Sequence, residues 1–274
     1  MSKRYGRVLA AMVVGLTASQ RPWRRAATRL RVVNALLQRH GIETPHGTLM
    51  LVTDDPRALE YPRELVSREP ETIEWIDAFE LPCVFWDIGA NVGIYSLYAA
   101  LRADVAVHAF EPAAASYAAL CRNSEANGGR PNLDAYCIAL GGTNQLGHLN
   151  MSATFAGSVY NAFESTMDQL GRPLSVVFRQ AVVGYSVDGF RRQFDLAVPN
   201  YIKIDVDSIE EQILVGAAET LVAPALRSVL IELEDPPTLR SQRIIRTLTA
   251  AGFALSRQGM ARGGGVNTIF DRAR

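Results

Sequence analysis

One ten-residue stretch, Val84-Phe85-Trp86-Asp87-Ile88-Gly89-Ala90-Asn91-Val92-Gly93, constrains the fold of this chain more than any other. An apolar run ends in an acid, turns on glycine and leads into an apolar helix. A second apolar run, 105–110, ends in Glu111, 24 residues after Asp87. Two strands that each end in an acid and are joined by a helix build a nucleotide pocket at the carboxyl ends of adjacent parallel strands.

The alternation continues along the chain and predicts a doubly wound α/β sheet. Strand 83–88, helix 92–101, strand 105–110, helix 113–127 and strand 132–139 come first. Strand 200–206, helix 208–222, strand 226–233 and helix 237–251 follow, and strands 253–257 and 265–270 flank a glycine-rich turn. That last pair reads as a hairpin, giving a mostly parallel sheet with one antiparallel edge strand. Between the two halves, 141–185 carries glycines and short alternating runs (146–151, 176–183) and reads as a hairpin-rich insertion near the site mouth. Residues 46–80 form a lead-in: a strand at 48–52, a turn at Asp54-Asp55-Pro56, and a helix 71–79 with proline and acids in its first turn. The domain proper is 81–274. With 274 residues, 48% of them hydrophobic, the chain as a whole has the material for a full core.

A net charge of zero conceals an uneven distribution. Residues 1–40 hold nine Lys or Arg and no acid, so the remainder, with 19 basic and 28 acidic residues, carries −9. Residues 1–45 read as a basic helical arm closed by Gly41 and Pro45, expected to dock on the acidic body. A basic arm also suits an anionic partner, and peripheral membrane contact is the expected alternative. Nucleic acid fits poorly, because the site-bearing body is acidic and has no aromatic-rich basic groove. The apolar segment 8–18 is too short to span a bilayer and makes a weak secretion signal. The three cysteines, Cys83, Cys121 and Cys137, are odd in number, lack metal-ligand spacing and lie in or beside apolar segments. They are expected to be buried and reduced, placing the protein in the cytoplasm.

In the first loop, Gly89 permits a tight turn and Gly93 lets the next helix pack close to the strand. Asn91 replaces the middle glycine of the dinucleotide fingerprint, and Asp87 repels a pyrophosphate. The loop therefore suits a cationic, phosphate-free ligand, a description met by the methionine half of S-adenosylmethionine. Glu111 has the geometry to accept both ribose hydroxyls. Ile138 and Ala139, ending the third strand, would wall the adenine. Asp205 and Asp207 end the fourth strand two residues apart on one face, with Ser208 as an N-cap completed by Glu211. Lys203, one of two lysines, needs an acidic partner if buried. Glu232, Glu234 and Asp235 reach the same edge from the fifth strand. His108 reads as a core residue, and His40, His46 and His148 fall in helix ends or loops.

Taken together, Asp87-Ile88-Gly89-Ala90-Asn91-Val92-Gly93, Phe110-Glu111-Pro112, Ile204-Asp205-Val206 with Glu210, Ile213-Leu214-Val215-Gly216-Ala217 and Ser186-Val187-Asp188-Gly189-Phe190 resemble the FkbM-type S-adenosylmethionine-dependent methyltransferases. The resemblance covers about residues 65–272. It implies a Rossmann-like class I methyltransferase fold: a mostly parallel seven-stranded sheet with an antiparallel C-terminal hairpin strand. It also implies O-methylation of a sugar, glycolipid or polyketide hydroxyl. By position, Asp87, Gly89, Asn91, Gly93, Glu111, Ile138, Ala139 and Asp205 would hold S-adenosylmethionine. Asp207, Asp205 and Glu232 are the candidate catalytic residues, in that order, with no metal required. A magnesium ion held by Asp205, Asp207 and Glu234 is the variant. The family commonly reads Asp-Val-Glu-Gly-Ala-Glu where this chain has Asp205-Val206-Asp207-Ser208-Ile209-Glu210. Two other readings compete: a non-catalytic S-adenosylmethionine-binding module, and a nicotinamide-dependent oxidoreductase, which Glu111 suits but Asp87 and Asn91 oppose.

Overall fold

Strands buried on both faces are continuous apolar runs, and such runs form the centre of the sheet here. The computed structural model describes residues 2–36, 38–53, 69–158, 161–167, 172–260 and 265–273. β3 (Cys83–Ile88) lies between β4 (Val105–Phe110) and β10 (Tyr201–Ile204), parallel to both. β5 (Leu133–Tyr136) extends the sheet beyond β4, and β11 (Ser228–Glu234) extends it beyond β10. The seven-stranded order is completed by β13 (Gly265–Arg272) and then β12 (Phe253–Gln258).

β13 runs antiparallel to both neighbours, but it is inserted between β11 and β12 instead of lying at the edge. Its sequence explains the position. Ile269 and Phe270 alternate into opposite cores, whereas most of β12 beyond Phe253 is exposed. The sheet separates two apolar layers, with Trp86, Ile88, Phe110, Ile202 and Val229 on one side and Phe85, Val107, Tyr201 and Leu230 on the other. The second layer is closed by α3 (Pro70–Asp77) and α4 (Ile94–Ala100).

Four stretches depart from the sequence reading. Residues 38–45 are not the end of a helix: after α1 (Ser2–Leu16) and α2 (Pro22–Ala35), β1 (Gln38–Thr44) pairs antiparallel with β2 (Gly47–Thr53). Gly41 sits mid-strand and Pro45 lies in the hairpin turn, so neither closes a helix. The hairpin is held to α5 (Ala114–Ala126) by asparagine side chains, with Asn123 accepting from the Val52 amide and Asn127 both accepting from and donating to the Met50 backbone. The arm does not dock as expected, since no residue of α2 is buried. The strand expected at 132–139 breaks at Cys137, and β6 (Ala139–Gly141) joins a different sheet. The helix expected at 208–222 is split into α7 (Glu210–Val215) and α8 (Ala218–Val222). Cys83 is buried as expected, but Cys121 and Cys137 are exposed. The turn expected at 54–56 lies outside the described residues.

The insertion forms a four-stranded sheet in the order β6, β9 (Phe178–Ser186), β7 (Gln145–Met151), β8 (Asn161–Phe163). Its glycines make room for one ring. A Cβ on Gly147 would lie 2.6 Å from Phe163 Cε2, and one on Gly184 would lie 2.5 Å from Phe163 Cζ. Gly184→Ala is therefore expected to cost about 1–3 kcal/mol in a denaturant melt, as overpacked positions do. Adding Phe163→Leu should recover part of that loss; strict additivity of the two would show that the ring and the glycine do not meet.

Candidate active site

The strand order reverses between β3 and β10, and in open α/β sheets the crevice at such a reversal receives the ligand. The loops leaving these strands touch: the Asp205 amide donates to Ile88 O at 3.0 Å. Gly89 has φ +87°, and a Cβ there would lie 1.9 Å from Asp205 O. No other residue fits that approach. Asn91, also left-handed at φ 51°, is a residue type that tolerates the conformation. Gly93, at φ +85°, is packed against Leu120.

Lys203 lies beside Asp87 in the β10–β3 register, and both face the α4 side. Its ammonium is 2.6 Å from Asp205 Oδ2 and 5.1 Å from the Tyr95 ring centroid, with the residue only 1% exposed. Burial opposes its charge, but Asp205 and Asp87 outweigh burial and raise its pKa, so it stays protonated. Asp87 accepts from Ser96 Oγ at 2.5 Å, while its Oδ1 is buried with no hydrogen-bond partner among the described residues. Burial pushes the Asp87 carboxyl up, against the pull of Lys203 and Ser96. Asp87 thus sits at the floor of the crevice.

Glu111 anchors the opposite wall. Its Oε2 accepts from the Asn91 amide at 2.8 Å and its Oε1 from the Ala113 amide at 2.7 Å. Each oxygen keeps a second lone pair. Burial raises its pKa to about 7 despite those two amides. Ile138 is half-buried on the core of that side, and Ala139 is buried at the start of β6.

Across the crevice, Asp207 Oδ2 accepts from the Asn161 amide at 2.7 Å, which ties the insertion to the loop after β10. Ser208 is not an N-cap. Its φ is +81°, its hydroxyl donates to Met167 O at 3.1 Å, and α7 begins two residues later. Glu211 pairs with Arg243 at 2.7 Å instead of closing a capping box. Glu232 is half-buried and faces Asp205, Lys203, Glu69 and Asp207; burial and the neighbouring carboxylates raise its pKa to about 8.

Three further acids, Glu234, Glu210 and Asp188, are engaged within the fold. Glu234 is held by Arg240 at 2.5 Å and by Ser241, so it is unavailable for the magnesium variant. Among the described residues no group of three or more His, Cys, Asp or Glu forms a metal cluster. Glu210 is buried 3.0 Å from Arg240. Asp188 accepts from the Glu219 and Thr220 amides, capping α8. His108 contacts Tyr136 Oη at 3.1 Å, and burial lowers its pKa. His46 and His148 do have partners, Asp77 at 2.8 Å and Glu164 at 3.8 Å, and His40 and His148 lie in strands. Ser96, Tyr95 and Asn161 touch Asp87, Lys203 and Asp207 respectively, yet sequence reasoning passed over them. Ser96 carried a readable signal, a polar residue three positions after Gly93 on an apolar helix, and Asn161 carried none. A cavity of about 540 Å³ opens by the strand starts at Tyr201 and Ser228, the other end of the sheet, and contains none of these carboxylates.

The methyltransferase FkbM domain model matches residues 87–255. The chain belongs to the FkbM methyltransferase family. The solved structures it resembles are distant. Methyltransferase FkbM from Methylobacillus flagellatus is 13% identical, with a TM-score of 0.48, covering 79% of this chain and 55% of that one. Precorrin-6y C5,15-methyltransferase from Geobacter metallireducens is 13% identical, with a TM-score of 0.44, covering 74% and 87%. Fibrillarin from Aeropyrum pernix, with S-adenosyl-L-methionine bound, is 12% identical, with a TM-score of 0.41, covering 73% of each. No curated protein matches the chain.

Removing Lys203 would leave buried carboxylates without their counter-ion. Lys203→Met is expected to destabilise the protein by about 3–5 kcal/mol in chemical denaturation. A loss under about 1 kcal/mol, the scale of an exposed pair, would show that the ion pair does not organise the crevice.

Proposed function

We propose that the protein is an S-adenosylmethionine-dependent O-methyltransferase acting on a hydroxyl of a sugar, glycolipid or polyketide-type acceptor. The observation that carries the reading is the group of acids at the carboxyl ends of the paired strands β3 and β10, inside a chain of the FkbM methyltransferase family. The residues present fit the donor. Glu111 offers a free lone pair on each oxygen for the ribose hydroxyls, and the unpartnered Asp87 Oδ1 gives the floor a negative character. Gly89 lets the loop after β10 close against the loop after β3, with the Asp205 carbonyl where a Cβ would stand. The same acids would repel the pyrophosphate of a nicotinamide dinucleotide.

When bound, S-adenosylmethionine supplies a methyl group already activated by the sulfonium charge. The protein has to position the acceptor, exclude water and remove the hydroxyl proton. Of the three candidates for the base, the geometry favours Glu232. Asp205 is committed to Lys203, and Asp207 already accepts from the Asn161 amide. Glu232 holds a pKa of about 8, near the range in which a general base works best. Asp205 then positions, through Lys203, and Asp207 shapes the acceptor side. This reading places the enzyme in the cytoplasm, where Cys83, Cys121 and Cys137, all unpaired, stay reduced.

Calorimetric titration with S-adenosylhomocysteine tests the donor site. Glu111→Gln is expected to weaken binding by about 10- to 100-fold, the value of a charge-assisted hydrogen bond. The sign of the pH effect follows from the raised pKa. Below about 7, Glu111 is protonated and loses acceptor capacity, so affinity should rise as pH increases towards about 7 and then level off. The slope should vanish in Glu111→Gln; the same slope in the variant would remove Glu111 from the site.

Methyl transfer to hydroxylated glycan and polyketide acceptors tests the base. Activity is expected to rise with pH through about 8, and Glu232→Gln should cost about 10²–10⁴-fold in kcat with donor affinity kept. An unchanged kcat would return the role to Asp207. Donor binding without turnover on any acceptor would favour the non-catalytic module.

A further inference from the structure

Two helices of this chain are amphipathic in sequence and have their apolar faces uncovered. On α1, Tyr5, Val8, Leu9, Met12 and Leu16 recur at the three- and four-residue steps that line one face of a helix, with Arg4 and Arg7 off that face. On α2, Trp23, Ala26, Ala27, Leu30 and Val33 do the same, with Arg24, Arg25 and Arg31 off it. Such faces normally seek a core, yet Leu9 is 62% exposed, Leu16 81%, Trp23 65% and Leu30 64%. The helices are nonetheless tied to each other. Arg29 donates to Thr17 Oγ1 at 2.8 Å and to Val14 O at 3.1 Å, Thr28 donates to Gln20 Oε1 at 3.0 Å, and Arg25 donates to Ala18 O at 3.3 Å.

We propose that α1 and α2 lie in the plane of an anionic bilayer surface, their apolar faces in the acyl boundary and their arginines among the lipid headgroups. Charge selects this occupant. The first 40 residues carry nine Lys or Arg and no acid, while the rest of the chain carries −9 and would be repelled by an anionic surface. The pairing of Trp and Leu on one face with arginine on the other is the composition of interfacial helices. Among the described residues no helix is long and apolar enough to cross a membrane, so the arm would rest on the surface. The inference is independent of the catalytic reading.

The test is co-sedimentation of the full chain with vesicles of phosphatidylcholine and phosphatidylglycerol in equal parts, and with vesicles of phosphatidylcholine alone. Binding is expected only to the first, and raised salt should weaken it. Each basic residue near an anionic surface contributes about fivefold in affinity, so Arg24→Gln with Arg31→Gln should weaken binding about 25-fold. Leu9→Ser with Leu30→Ser should weaken it at least about tenfold through lost apolar burial. Circular dichroism distinguishes lost binding from lost helix, and the arginine pair keeps the test decisive if the leucine pair unfolds the arm. Equal binding to both vesicle types, no binding to either, or variants that bind like the parent would overturn the proposal. So would a dimer in light scattering that Leu9→Ser with Leu30→Ser splits while vesicles capture nothing, since the faces would then join two copies. Retention on a nucleic-acid column with no vesicle binding would assign the arginines to that partner and overturn it too.

Discussion

The active end of this protein is organised around one buried ammonium group. Lys203 stands next to Asp87 in the strand register and reaches Asp205 at 2.6 Å, so a single cation neutralises acids from both strands that flank the reversal in strand order. A buried pair of this kind is weak evidence of stability, because desolvation consumes much of the attraction. What it fixes is register. Sliding β10 by one residue would turn Lys203 into the Trp86 side of the sheet and leave Asp87 alone in an apolar layer. Gly89 adds a steric version of the same constraint, since its missing Cβ leaves room for the Asp205 carbonyl. Together they hold the loops after β3 and β10 in contact, and the site follows from that contact.

The acids around this centre are held at some cost to the fold. Burial lifts the pKa of Glu111 to about 7 and of Glu232 to about 8. A carboxyl whose native pKa lies above its unfolded value keeps a proton that the unfolded chain has released. Each such group therefore adds stability at low pH that disappears as pH climbs from about 4.5 to the native value. Ionising Glu111 and Glu232 adds negative charge beside Asp87, Asp205 and Asp207, a cost that a cationic ligand offsets and an anionic one worsens. The preference for a phosphate-free donor that Asp87 and Asn91 announce in the sequence is thus repeated in the electrostatics.

The parts legible in sequence are those in which local pattern and tertiary role agree. β3 and β4 begin and end where their apolar runs do: β3 is buried on both faces, and β4 keeps Val105, Val107 and Ala109 buried on one face while Ala106 is exposed on the other. Asp87, Gly89 and Glu111 were readable because strand, acid and glycine stand at fixed separations. Residues 38–53 were misread in part because Gly41 and Pro45 resemble helix terminators, whereas the hairpin depends on Asn123 and Asn127, more than 70 residues away. The same holds for Ser208. Its spacing to Glu211 mimics a capping box, but Glu211 is drawn to Arg243, which no local window contains. Long-range partners decided every such case.

Ser208 also shows what the loop after β10 demands of its backbone. A left-handed φ of +81° is easy for glycine and costs a β-carbon residue about 1–2 kcal/mol. Ser208 thus holds a backbone shape that glycine would adopt at less cost. The strain is offset by what the side chains touch: Ser208 Oγ donates to Met167 O, and Asp207 accepts from the Asn161 amide. Both partners belong to the insertion, which elsewhere is packed by Phe163 against Gly147 and Gly184. The loop after β10 and the insertion are therefore tied together at two points, one through each of these side chains. Exchanging Asp207-Ser208 for Glu-Gly would put both ties at stake, the bond to the Asn161 amide at the start of β8 and the bond to Met167 O.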